Sequence, residues 1–215
     1  MAKNDIIEIR PLEIETFTLR IRGTSPLIMH KWSEKARKEI RDKQMKATKT
    51  TAKEAKSPIA DFIGSIYWMD GEPADKTEEG FLKAVEAGAR FGFPATAIKQ
   101  ATLSAAYRMG WVENQTGLRG AFFIKSNEEG LVEIKSDTPL MREDMVKVGM
   151  GTADIRYRGQ FNNWYADPTI EFNKNGKYTK EQLVNFMNAG GFVCGIGEWR
   201  PERDGQFGMF QVDAN

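Results

Sequence analysis

The chain has 215 residues, 40% hydrophobic and 28% charged, with a formal net charge of +1. Such a chain reads as a soluble α+β protein, one elaborated domain over 1–215 with enough apolar residues for a sizeable core. No apolar run is long enough to span a bilayer and no signal-like leader opens the sequence, so the expectation is a cytoplasmic protein with no membrane partner.

Residues 1–11 read as an arm without functional signal. From Leu12 the sequence alternates. Phe17, Leu19 and Ile21 point one way and Thr16, Thr18, Arg20 and Arg22 the other, as in a strand with one buried face. Gly23 to Pro26 turns the chain into a short apolar segment over 26–32 that ends beside a basic run, with His30, the single histidine, at the junction. A lone histidine excludes multi-histidine metal sites; as a general acid or base it would act without a second histidine.

The positive charge is concentrated in the next segment. Between 31 and 56 there are ten Lys and Arg against four acids, leaving 21 basic and 26 acidic residues elsewhere. Segment 31–57 is therefore a basic insertion. Its first part, 34–45, has helical charge spacing behind a Ser33 cap, and 44–57 reads as a flexible loop. Lys35, Arg37, Lys38, Arg41, Lys43, Lys46, Lys49 and Lys53 could neutralise phosphates, although a solvated helix and loop would look similar.

An apolar segment over 59–68, an acidic loop over 70–75 and a short helix over 78–88 follow. Next come a strand end at 90–93, Pro94 and a helix that stops at Gly110, the expected order for proline and glycine around a helix. The small residues Ala97, Ala101, Ser104 and Ala105 suit close packing, and Lys99 with Thr96 lies in the first turn, where an anion can bind. Segments 121–125 and 131–135 read as a hairpin, and 137–154 as a long connection.

The stretch 155–165 interleaves Arg156 and Arg158 with Tyr157, Phe161, Trp164 and Tyr165, a composition that either fills a core or stacks on a single strand. A strand over 167–173 precedes a capping box at Thr179 and Gln182, which opens a helix with Leu183, Phe186, Met187 and Gly190 on one side. The segment 191–212 is a glycine-rich hairpin containing Cys194, a small hydrophobe, and Trp199, Arg200 and Arg203. It closes in a strand apolar on both faces, which reads as central in its sheet. Gly195 and Gly197 lack the strand-then-helix setting of a dinucleotide fingerprint, and no P-loop occurs, so no nucleotide cofactor is expected.

Strand, helix, hairpin, strand, helix, strand fits an elaborated ferredoxin-like (RRM-like) βαββαβ domain with insertions. Three stretches resemble the RAMP superfamily of CRISPR-associated proteins, in particular its guide-RNA backbone subunits: Leu19-Arg-Ile-Arg-Gly-Thr-Ser-Pro-Leu27, Phe93-Pro-Ala-Thr-Ala-Ile-Lys-Gln-Ala-Thr-Leu103, and the glycine-rich 195–212. The resemblance implies a non-enzymatic subunit that binds single-stranded RNA or DNA, RNA preferred, and assembles with copies of itself and with other effector subunits. A stand-alone or mobile-element relative fits as well. The basic insertion would face RNA, with Lys99, Arg200 and Arg203 nearby; no aspartate sits in a matched motif, so no catalytic residue is assigned. Two other readings stay open: a self-assembling protein-interaction module without nucleic acid, and a metal-independent ribonuclease using His30.

Overall fold

The computed structural model describes residues 11–32, 34–45, 56–148 and 151–213. The first part of the chain forms β1 (Ile14–Thr18), β2 (Ile21–Gly23), β3 (Leu27–Met29), α1 (Glu34–Gln44), α2 (Pro58–Gly64) and α3 (Glu78–Glu86). The middle forms β4 (Phe91–Pro94), α4 (Ala95–Arg108), α5 (Gln115–Arg119), β5 (Phe122–Ile124) and β6 (Leu131–Ile134). The last part forms β7 (Leu140–Val148), β8 (Thr152–Phe161), β9 (Tyr165–Ala166), β10 (Thr169–Asn173), α6 (Lys180–Ala189) and β11 (Phe210–Val212). The class is α+β, and the paired strands of the described residues are all antiparallel.

The alternation from Leu12 onward produces one long strand interrupted once. Ile14 faces Asn173 and Thr18 faces Thr169; beyond the gap Ile21 faces Ala166 and Arg22 faces Tyr165, so the register is unchanged. The gap coincides with Pro168, which has no N–H for a ladder; it still accepts from the Leu19 N–H at 3.3 Å. β11 pairs with β2 and β5 with β10, which sets four chain segments side by side. Their inward residues, among them Phe17, Leu19, Ile21, Phe122, Ile170, Phe172 and Phe210, are buried. Each fully buried Ile or Phe stabilises the fold by roughly 1.5–3 kcal/mol.

Two helices cover this inner face. α4 packs against α6, α4 also touches β5, and α6 touches β11. The contact is close because α4 presents the small residues Ala101 and Ala105, both buried. α6 starts with the expected capping box: Thr179 Oγ1 accepts from the Gln182 N–H at 3.3 Å and Gln182 Oε1 from the Thr179 N–H at 3.0 Å. The remaining strands form the ladders β3–β8–β7 and β4–β6. The β4–β6 ladder joins the first sheet through Lys135 and Tyr165, which exchange N–H···O bonds of 2.9 and 2.8 Å. Among the described residues no helix is long and apolar enough to cross a membrane.

Three expectations are corrected. Segments 121–125 and 131–135 do not pair with each other: β5 joins β10 and β6 joins β4, because the Asn127 side chain accepts from the Glu129 and Leu131 N–H groups and redirects the chain between them. Segment 137–154 is no loose connection; it contains β7 and the start of β8, a hairpin of nine opposed residue pairs. Its period is hidden because the inward position is the buried Asp144. Segment 191–212 does double back, closed by Ile196 N–H to Gly208 O at 2.9 Å and Phe207 N–H to Trp199 O at 3.0 Å. Yet it contains a π-helical turn (Gly190–Cys194), a 3-10 turn (Pro201–Arg203) and only one strand, β11, which lies at a sheet edge. Gly208 (φ +64°) permits the close approach, since a Cβ there would lie 1.7 Å from Ile196 O. Cys194 is fully buried, as its apolar neighbours predict.

Candidate nucleic-acid interface

The face of the four-segment sheet opposite α4 and α6 is set by the same alternation that buries Phe17, Leu19 and Ile21. It presents Thr16, Thr18, Arg20 and Arg22 from β1 and β2, and Tyr165, Asp167, Thr169 and Glu171 from the opposed segment. Arg20 donates from Nε and Nη2 to both oxygens of Asp167, at 2.7 and 2.8 Å, and its guanidinium lies 4.4 Å from the centre of the Tyr165 ring. Arg22 is forked onto Asp213 and stands 5.8 Å from the same ring, as does Lys135. Three cations thus surround one half-buried tyrosine.

The hydrogen bond and charge of Arg20 hold Asp167 below the usual carboxylate range against the opposing effect of burial, and donating to Asp167 raises Arg20 in return. Arg20 and Asp167 therefore both stay charged at neutral pH. A second ring lies at the other edge: Phe123 is exposed, with Lys99 Nζ 4.0 Å from its centre. Burial pushes the Lys99 ammonium down from its ordinary value. Cations over rings give planes on which bases can stack and donors for phosphate, though Asp167, Asp213 and Glu171 offset part of the charge.

The basic insertion is only partly described. Arg37, Lys38 and Arg41 are exposed on α1; Lys35 and Lys43 lie on the same helix, and Lys46, Lys49 and Lys53, like the Ser33 cap, lie outside the described residues.

The arginine and aromatic stretch 155–165 divides by the period of β8. Arg156 is paired with Asp154 at 3.1 Å. Arg158 is 5% exposed, bound to Asp144 at 3.0 Å and Glu198 at 3.4 Å, and its Nε has no partner among the described residues. Trp164 has no exposed surface and donates to Ser25 O at 2.9 Å. The expected base contact from Arg158 and Trp164 is corrected: both are interior groups, Trp164 satisfied by Ser25 O and Arg158 held by two carboxylates with its Nε left unpartnered among the described residues. Trp199 is exposed on one side and donates to Asp144 at 3.3 Å, and Arg200 is bound to Glu202 and Gly197 O, both at 3.0 Å. Arg203 is exposed on the 3-10 turn. The structure gathers Arg20 and Arg22 on the sheet, and Arg158 and Trp199 in a separate cluster around Asp144.

No family model matches the chain, and no curated protein does. Among solved structures it is similar to the crystal structure of Cmr6 from Pyrococcus furiosus, over 94% of this chain and 100% of that one, at 10% identity and a TM-score of 0.37. A likeness at that level carries neither a fold nor a function across.

His30 lies beside the interior cluster, its Nδ1 4.0 Å from Glu198 Oε1, beyond hydrogen-bond reach. Burial, then the Arg158 charge, pulls its pKa down, with Glu198 opposing, so the ring is neutral at pH 7. Among the described residues no group of three or more His, Cys, Asp and Glu side chains is placed to hold a metal ion. Lys135, Phe123 and Asp167 are the residues of the sheet face that the sequence did not single out. Alternation within 121–125 puts Phe123 opposite the core residue Phe122; the nearness of Lys135 to Tyr165 has no local signal.

Proposed function

We propose that this chain is an elaborated ferredoxin-like domain that binds single-stranded nucleic acid, RNA preferred, as a non-enzymatic subunit assembling with copies of itself, and with other effector subunits, along the strand. The observation that carries this reading is the clustering of Arg20, Arg22 and Lys135 around Tyr165 on the open face of the sheet. Support for the fold comes from the order β11, then β1 with β2, then β9 with β10, then β5, with α4 and α6 on one side. Support for the partner comes from exposed cations on α1 and from the sequence motifs that resemble RAMP subunits. Arg203 and Trp199 would extend the contact from the glycine-rich segment.

The test is fluorescence anisotropy with labelled single-stranded RNA, single-stranded DNA and duplex over a salt series, with complex mass measured by light scattering on the same samples. The expected result is salt-dependent preference for single strands, mass rising with strand length, and RNA left intact. Replacing Arg20, Arg22 and Lys135 together with Ala should flatten the slope of log K against log salt by about 0.7 per lost phosphate contact. Tyr165→Leu should weaken binding by about 1–3 kcal/mol with the slope unchanged. Absence of binding at low salt, or a triple variant that binds like the parent, refutes the proposal.

A further inference from the structure

β7 is the outer strand of the β3–β8–β7 ladder. Nine of its residues pair with β8 on one side, and among the described residues no strand pairs with the other. A long exposed edge offers a row of backbone donors and acceptors to another strand. This one also exposes apolar side chains: Met145 is 72% exposed, and Met141 and Ile155, the latter opposite Met145 across the ladder, are exposed as well.

The edge is complementary to itself. Set antiparallel against a second copy with Met145 opposite the partner's Met145, Glu143 faces the partner's Lys147 and Lys147 faces the partner's Glu143, all on one side of the sheet. Met145 and Ile155 then join the same two residues of the partner in one apolar row. Glu143 stands directly opposite Tyr157 across the ladder, on the same side as Met145. Neighbouring registers are poorer. Moving the twofold axis to Asp144 puts two aspartates face to face, and moving it to Val146 separates Glu143 from Lys147.

We propose that two copies of this chain pair edge to edge through β7, antiparallel about a twofold axis at Met145. Such a contact is closed and involves one patch used twice, unlike growth along a strand. It goes beyond the nucleic-acid reading and does not rest on it. The experiment is sedimentation velocity on nuclease-treated full-length protein over a dilution series, with circular dichroism to confirm folding.

The parent should sediment as a reversible dimer. Glu143→Lys or Lys147→Glu alone replaces two attractions with two repulsions and should weaken dimerisation about tenfold to a hundredfold. The double variant E143K/K147E should dimerise again, and a mixture of the two single variants should form mixed dimers. A parent monomeric throughout, or single variants that keep the parent's mass, overturns the proposal.

Discussion

Replacing Asp144 with Asn tests how the β7–β8 hairpin is fixed to the glycine-rich segment. The Asp144 side chain is only 8% exposed and accepts from Arg142 at 2.8 Å, Arg158 at 3.0 Å and Trp199 at 3.3 Å. Arg158, equally buried, reaches Glu198 in the same segment as Trp199. Removing the carboxylate leaves a buried guanidinium facing an amide that offers it more donors, and breaking a buried pair in this way costs about 3–5 kcal/mol. Glu198 keeps one bond, so the lower figure applies. With a urea slope of about 2–3 kcal/mol per molar, the unfolding midpoint should fall by about 1–1.5 M. The pair D144L/R158M, which removes both charges, should stay within about 1 kcal/mol of the parent.

Acid provides a second reading of the same contact. Burial opposes ionisation of Asp144, but the bonds from Arg142, Arg158 and Trp199 outweigh it and hold its pKa below the ordinary value. Its contribution is therefore present above the unfolded value of about 4 and lost as pH falls through the lower folded value. The Asn variant should lack that part of the acid limb. Urea midpoints that coincide for parent and Asp144→Asn would refute the argument.

Two further perturbations test local packing and charge. Gly191→Ala should destabilise by about 1–3 kcal/mol in chemical denaturation, since its Cβ would lie 1.9 Å from Phe210 O and push β11 off the sheet edge; a midpoint equal to the parent's would contradict that geometry. His30 has a folded pKa below its unfolded value of about 6.5, so its contribution to stability is complete above that pH and is lost as pH falls toward the folded value. His30→Gln should remove this weakly acidic decline; a stability profile that declines unchanged would show the ring to be solvated.

Local chemistry determined α1, α3, α4 and α6 from the sequence alone, while α2 and α5 were not read there as helices. Charge order marks α1, Pro94 with Gly110 brackets α4, and the Thr179 and Gln182 pair opens α6, each signal acting within a few residues of where it lies. The period of two between 12 and 23 likewise fixed which side of the first strand is buried, and therefore that Arg20 and Arg22 point outward. Tertiary structure decided the rest, because it depends on residues far apart in the chain. Only the register of β1 and β2 against β9 and β10 places Arg20 on Asp167 and Tyr165, and only the return of β6 beside β9 adds Lys135. The interleaving of Arg156 and Arg158 with aromatic residues over 155–165 reads in sequence like a binding surface, yet burial made Arg158 half of an ion pair with Asp144, since a charge taken from water must find a partner. The same buried Asp144 masked the β7–β8 hairpin, because sequence periodicity registers apolar side chains and a satisfied interior carboxylate reads as surface.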